Sequence, residues 1–401
     1  MHRLFRSYSW AWIFGIGLAF RLCFLFATPH LSDDYFRFVW DGELNKDGYS
    51  AFAFVPSQYE KHVGKEHEAK YKKLFEASTE EFPEGMNSKN YYSIYPTVNQ
   101  FVFRTAAMGN DPYGANLSIL RIWILLAEIA SFFLLRALLT SKNKAHWLPL
   151  YWLHPLVIIE LTGNLHLEAL AITFILLALF LVQINHWVGA SISIALGMMT
   201  KLTPLLLLGA FFRNQPFKRW VLMCMVACVS SVGLFTIYVD VETFRNFKES
   251  VGLFFAWFSF NSGLYYGLRD FVLLFSETNI SALICLIFPF ISAAIMLRLT
   301  FFGKTDVINT ALLIFTTYFL FTPILHPWYI TFLIPLGILS RKLYPLVWSV
   351  LIFGTYLAYG DTFQEPFWWI YLEFALVIYL MFAEYRKQSN WVQQLTNKVY
   401  L

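Results

Sequence analysis

"VGASISIALGMMTKLTPLLLLGAFF", residues 188–212, has the length of one membrane span but not the contents of one. A helix crossing about 30 Å of hydrocarbon needs about 20 apolar residues. Here Lys201 and Pro204 stand in the middle of the run. Proline removes a helix hydrogen bond, and an intramembrane lysine is costly unless it lines a polar cavity. A single crossing would also carry Arg213, Lys218 and Arg219 to the side opposite the other basic clusters. Two half-helices that enter and leave from one side satisfy both facts. The expectation is a re-entrant hairpin over 188–212 with Lys201 and Pro204 near its tip.

Outward from that segment, the chain of 401 residues is 58% hydrophobic and 14% charged, with a mean hydropathy of +0.53. Soluble domains average about 45–50% apolar and about 25% charged, so this is a membrane composition. Basic residues cluster at Arg3/Arg6, Lys142/Lys144, Arg213/Lys218/Arg219, Arg298/Lys304, Arg341/Lys342 and Arg386/Lys387, all placed in the cytoplasm by the positive-inside rule. Candidate spans run over 9–28, 116–139, 146–162, 165–184, 217–239, 279–298, 306–322, 327–340, 343–360 and 366–384. The N-terminal run, interrupted by Arg21 and leading straight into an acidic stretch, reads as an uncleaved first span and not a signal peptide. The expected fold class is an all-α polytopic membrane protein. It comprises one integral membrane domain over 1–401, about ten spans plus the hairpin, and both termini inside.

Two outward loops follow from that count, 29–113 and 240–277. The first contains "EKHVGKEHEAKYKKLFEASTEEF", whose charges of both signs at helical spacing read as a solvated or membrane-surface helix. It closes on "YYSIYPTVNQFVFRTAAMG", an aromatic-rich amphipathic segment suited to the interface. The net charge of +4 contains no Lys/Arg block, which argues against a nucleic-acid partner. Cys23, Cys224, Cys228 and Cys285 all lie in apolar runs and read as small buried hydrophobes. There is no internal repeat, no phosphate-cradling glycine loop and no metal-spaced Cys/His cluster, although two adjacent aspartates can recruit a divalent ion.

Those aspartates lie in "HLSDDYFRFVWDG", residues 30–42, at the outer end of the first span. Ser32 is a good N-cap, and Asp33 and Asp34 in the first turn would favour the helix dipole. Arg37 then lies one turn from Asp33, and Asp41 one turn from Arg37. Capping accounts for these residue types without chemistry. Paired carboxylates facing a polar cavity beside lipid have a second reading. Desolvation and mutual repulsion raise such a carboxyl towards a useful general base.

"SDDYFRFVWDG" is followed in order by "IYPTVNQ", "HPLVIIELTGNLHLEAL", "MTKLTPLLLL", "FNSGLYYGLR" and "HPWYITFLIPL". Together these resemble the bacterial polyprenyl-phosphate-dependent mannosyltransferases of the GT-C superfamily, whose relatives include the catalytic subunit that adds the first mannose to the GPI anchor. The similarity runs from about residue 10 to 345. It departs at Thr97, where a second proline usually follows Pro96, and after His166, where Leu-Glu replaces the frequent Asn-Asp. The resemblance implies a bacterial plasma-membrane location and a sugar donor carried on a polyprenyl phosphate. It also implies a glycan, glycolipid or other hydroxyl acceptor, and inversion at the anomeric carbon. No cofactor is implied, and the remaining partners are membrane lipids.

Under that resemblance the base role falls to Asp33 first, with Asp34 as alternate base or acceptor positioner. Arg269, His326 and His166 are candidates to meet the departing phosphate, because developing negative charge needs donors away from bulk water. His166 and His326 read equally as interfacial anchors or satisfied core residues, whereas Arg269, ending an aromatic segment at lipid headgroup depth, leans towards function. Asn164, His166 and Glu168 can read sugar hydroxyls. Lys201 is expected to fix the cavity floor by pairing with Glu160 or Glu168. Tyr95, Trp328 and Tyr329 are interface anchors or sugar-stacking platforms, and Arg37 and Asp41 complete the substrate-binding set. A transporter or flippase of lipid-linked saccharide is the competing reading, although transporters often show repeats between halves.

Overall fold

The computed structural model describes residues 10–81, 86–142, 144–257, 259–359 and 363–386. Arg3, Arg6 and Lys387, used above to orient the chain, lie outside them. Among the described residues the regular structure is helical, at 74% helix, with one isolated bridge between Phe260 and Ile324. In chain order the principal helices are α1 (Trp10–Leu22), α2 (Asp34–Lys46), α3 (Lys65–Glu81), α4 (Thr97–Ala106) and α5 (Ala115–Thr140). Then come α6 (Glu168–Gln183), α7 (Trp187–Met198), α8 (Phe217–Phe235), α9 (Val241–Trp257) and α10 (Gly263–Leu273). The last five are α11 (Ser281–Phe302), α12 (Val307–Phe321), α13 (Leu333–Ser340), α14 (Tyr344–Leu351) and α15 (Phe367–Arg386).

Four of these, α5, α8, α11 and α15, are long and apolar enough to cross a membrane. The wide turn Val157–Gly163 and α6 add a fifth if taken together, bent by 116° at their junction. These apolar helices fit an integral membrane protein. The count of ten is not reached by length and composition. Several expected spans are shorter apolar helices of 10–17 residues, namely α1, α12, Pro327–Ser340 and Tyr344–Ala358, and α7, in the expected hairpin, is another. Local chemistry sets a boundary of two of them. Arg341, in the left-handed region at φ +59°, ends α13, and Pro345 stands in the first turn of α14.

Buried charge ties the first helix to the bundle. Arg21 donates from Nε and Nη2 to Glu128 of α5 at 3.0 and 2.8 Å, and from Nη1 to the Trp152 carbonyl at 2.8 Å. Its guanidinium lies 3.8 Å over the Trp152 ring, while Thr162 donates to the other Glu128 oxygen. Arg121, also in α5, donates to four carbonyls, those of Leu25, Ala27, Thr162 and Gly163. The segment leaving α1 and the turn before α6 are thereby held to the same side chain.

Residues 34–81 and 86–106 build a compact helical layer over this bundle. Helix α2 packs on α4 so closely that a Cβ on Gly42 would lie 2.4 Å from the Phe103 carbonyl oxygen. Trp40 is buried edge-on against Tyr59, Tyr71 and Phe75. Helix α3 is held by Lys70, whose ammonium is 2.7 Å from both Glu43 and Asp47. The charge-alternating segment thus folds as the expected helix, with part of its charge turned inward.

In the segment that opened the sequence reading, α7 ends at Met198 and helix resumes as a tight turn at Thr203–Leu206, then Leu207–Phe211. The break therefore holds Lys201, with Pro204 in the turn that follows. Gly197 lets the two pieces touch, since a Cβ there would lie 2.9 Å from the Pro204 Cβ.

Candidate active site

The acidic motif begins one residue later than capping by Ser32 requires. Helix α2 starts at Asp34, Asp33 occupies the N-cap position, and the Asp33 carboxylate makes no cap bond to its own helix. The Ser32 hydroxyl accepts the Asp34 N–H at 3.3 Å. The Asp33 carboxylate instead accepts from Asn87, at 2.9 Å from its backbone N–H and 2.7 Å from its side-chain amide. Burial, and then the adjacent Asp34 charge, raise the Asp33 carboxyl from 3.8 to about 6, against the lowering effect of the Asn87 bond.

Asp34 points into a different neighbourhood. Tyr95 donates a hydrogen bond to it, and its charged neighbours are His166, Glu168 and Lys201. Burial raises its carboxyl and Glu168 adds to the rise, while His166, Lys201 and the Tyr95 hydroxyl oppose it. Four separated stretches of sequence therefore meet at one carboxyl. The bend between the Val157–Gly163 turn and α6 supplies two of the groups. At its apex Leu165 adopts φ +64°, a strained conformation for a branched side chain, which sets Asn164 and His166 on either side of the turn.

The break after α7 supplies Lys201. Its ammonium pairs with Glu168 and lies 3.7 Å over the Tyr329 ring. Helix α4 holds that break in place: the Val98 N–H donates to Met199 O at 3.0 Å, and the Asn99 amide donates to Thr200 O at 2.8 Å. Of the two partners weighed for Lys201, the structure provides Glu168. Glu160 lies 3.4 Å from His166 Nε2 and accepts from the Tyr356 hydroxyl.

The remaining candidates divide. His166 stacks on Trp328 at 3.7 Å and His326 stacks on Trp328 at 4.3 Å, so the indole has little face left for a sugar ring. His326 also leans on Phe260 at 5.0 Å. Asn164 accepts from the Leu31 N–H at 3.4 Å through Oδ1, tying the bend to the acidic segment. Arg37 and Asp41 form the expected pair at 2.7 Å, but it is turned inward. Arg37 also donates to Tyr91 O at 2.7 Å, and Asp41 accepts from Ser93 and Gln100. Both are buried, and their other partners lie 50 and more residues away. Arg269 bonds Asp270 at 2.6 Å and lies over Tyr266, contacts that include no member of the Asp34 cluster.

Asn87 and Tyr356 were absent from the sequence reading. Asn87 is an asparagine in a polar loop, with no motif to single it out, and Tyr356 is one of 22 tyrosines. Among the described residues no group of three or more His, Cys, Asp and Glu is arranged to hold a metal ion.

Comparison with known proteins bears on this same region. Residues 96–213 match the family model for the alpha-(1->6)-mannopyranosyltransferase N-terminal domain of the MptA/B family. The match supports a GT-C mannosyltransferase. It therefore supports a membrane glycosyltransferase enzyme, with a sugar donor and an acceptor. The matched stretch carries α4, the bend with Asn164, His166 and Glu168, and the break with Lys201; Asp33 and Asp34 precede it. No curated protein and no solved structure matches the chain.

Proposed function

We propose that this mannosyltransferase moves mannose from a polyprenyl-phosphate donor to a hydroxyl acceptor, with inversion, and that Asp34 is the general base. The observation that carries the reading is the convergence of Tyr95, His166, Glu168 and Lys201 on the Asp34 carboxyl. Asp33 has both oxygens engaged by Asn87, which suits a group that holds the turn. In the reaction the acceptor hydroxyl gives its proton to Asp34 as its oxygen bonds the anomeric carbon. The bond from that carbon to the phosphate oxygen breaks on the opposite face, and the phosphate leaves with the electron pair. Lys201, on the broken hairpin, supplies positive charge for it. Charge stabilisation by donors already in place is the usual source of rate in such a step.

The finer topology belongs to the same proposal. About ten crossings, counting the short apolar helices, put the Asp34 cluster on the extracytoplasmic side and both termini in the cytoplasm of a bacterial plasma membrane. The test is transfer by the purified protein from polyprenyl-phosphate-linked mannose, comparing wild type with Asp33→Asn, Asp34→Asn and the double variant. The expected result is a loss of at least 100-fold for Asp34→Asn and a smaller loss for Asp33→Asn. Transfer that persists in the double variant removes the carboxylate base. Transbilayer movement of the lipid-linked sugar without product favours a flippase instead.

A further inference from the structure

A second set of groups lies at the far end of the bundle. The fifteen residue steps from Glu168 to Gln183 along α6 span roughly 22 Å at 1.5 Å per residue. Around Gln183 two adjoining cavities of about 370 and 380 Å³ share Lys142, Asn214, Val307 and Ile308. One is lined by Lys142 and Arg213 together, and the other runs inward over Leu179, Phe211 and Leu339, all buried. Both are open to the surface, and volumes of this order can seat part of a small ligand or lipid.

The basic residues at this end of the bundle divide: Lys142 and Arg213, like Lys218, Arg298 and Lys304, form no salt bridge among the described residues, whereas four others are engaged. Lys144 and Arg341 lie over Trp147, Lys342 donates to the Glu384 carbonyl at 3.1 Å, and Arg219 donates to Asn185 at 2.7 Å. Lys142 and Arg213 are both exposed. The acid at the rim, Asp306, is committed to its own helix. One of its oxygens accepts from the N–H groups of Ile308 and Asn309 at 2.9 and 3.1 Å, and the other accepts the Asn309 amide. Beside Arg213, Phe212 packs on Trp220 at 5.1 Å and on Phe301 at 4.7 Å, an aromatic cluster of the kind found at headgroup depth. Phe217 and Phe302 next to it are exposed.

We propose that this cavity binds an anionic phospholipid, its phosphate between Lys142 and Arg213 and its upper acyl chain against Leu179, Phe211 and Leu339. Charge decides the ligand class: two uncommitted cations at the rim of an apolar pocket, at interfacial depth, match a lipid that carries negative charge at its head. The phosphate of a zwitterionic lipid brings its own cation, which the Lys142–Arg213 pair repels. The occupied cavity would brace the base of the broken segment whose opposite end carries Lys201.

The test uses the full-length protein, stripped of lipid in detergent and titrated with phosphatidylglycerol or phosphatidylcholine, with bound lipid counted by native mass spectrometry. The expected result is one retained phosphatidylglycerol, little phosphatidylcholine, and at least a tenfold weaker phosphatidylglycerol adduct in Lys142→Gln/Arg213→Gln. A second variant, Leu339→Trp, fills the apolar part, keeps both charges and is expected to lose the lipid also. Equal retention of the two lipids, or undiminished retention by Lys142→Gln/Arg213→Gln, overturns the proposal. Displacement of the lipid by millimolar glycerol 1-phosphate reduces the site to an anion site and overturns it as a lipid site.

Discussion

Asp33 and Asp34 are adjacent in sequence yet live in different surroundings, and the difference is measurable. A carboxyl raised to about 6 is half protonated near that pH. A base must be deprotonated to act, so kcat/KM for transfer is expected to fall about tenfold per pH unit on the acid side of the pair's apparent pKa. The sign follows from burial: both carboxyls are raised, so the acid limb lies above the ordinary carboxylate range near 4. Asn87 opposes that rise by bonding the charged form of Asp33. Asn87→Ala should raise Asp33 further; since a protonated Asp33 repels Asp34 less, the acid limb set by Asp34 should stay in place or move to lower pH, read from a rate profile between pH 4.5 and 8. A profile flat down to pH 5 in the wild type would count against a carboxylate base. Position along the chain marked these aspartates as candidates, but their division of labour was not legible there. It depends on Asn87, 54 residues from Asp33, and on Tyr95, Glu168 and Lys201 further still.

Among the elements, α4 does more than lie at an interface. Its first turn grips the break after α7 through Val98 and Asn99, and its Gln100 amide bonds Asp41, Ser93 and the Tyr95 carbonyl. One short helix thus connects Lys201 to the helix that begins at Asp34. Asn99→Ala removes one buried hydrogen bond, which costs about 1–2 kcal/mol including the unsatisfied Thr200 carbonyl. Its larger effect should be on transfer: kcat is expected to fall at least tenfold while helix content by circular dichroism stays unchanged. Wild-type kcat in Asn99→Ala would mean that Lys201 needs no such support. The break itself was legible, because a lysine and a proline in a 25-residue apolar run are costly in a continuous span. What grips it was not, because "YPTVNQ" reads as an ordinary helix start. Arg37 and Asp41 mark the same limit, since their i,i+4 pairing follows from spacing but its inward orientation depends on Ser93 and Gln100.

At the scale of the whole molecule, composition alone established a helical membrane protein. The span count was harder to read, because a stretch that hydropathy reads as one span can fold as short pieces, as 146–162 does in Ala145–Trp147, Pro149–Trp152 and Val157–Gly163. What holds such short pieces together is buried charge, which hydropathy scores only as a penalty. Arg21 and Glu128 are both fully enclosed, and between them they bind α1, α5, Trp152 and Thr162. Removing one member leaves the other buried without its counter-charge, which costs about 3–5 kcal/mol, whereas replacing both with apolar residues is often neutral. Arg21→Met and Glu128→Met should therefore each lower the thermal midpoint of the detergent-solubilised protein markedly. Arg21→Met/Glu128→Met should recover much of the loss, giving a coupling of a few kcal/mol in a double-mutant cycle. Additive losses in the double variant would show instead that the pair acts only through the packing of its side chains. In that case the carbonyls that Arg21 and Arg121 hold, and not the ion pair, anchor the first helix to the bundle.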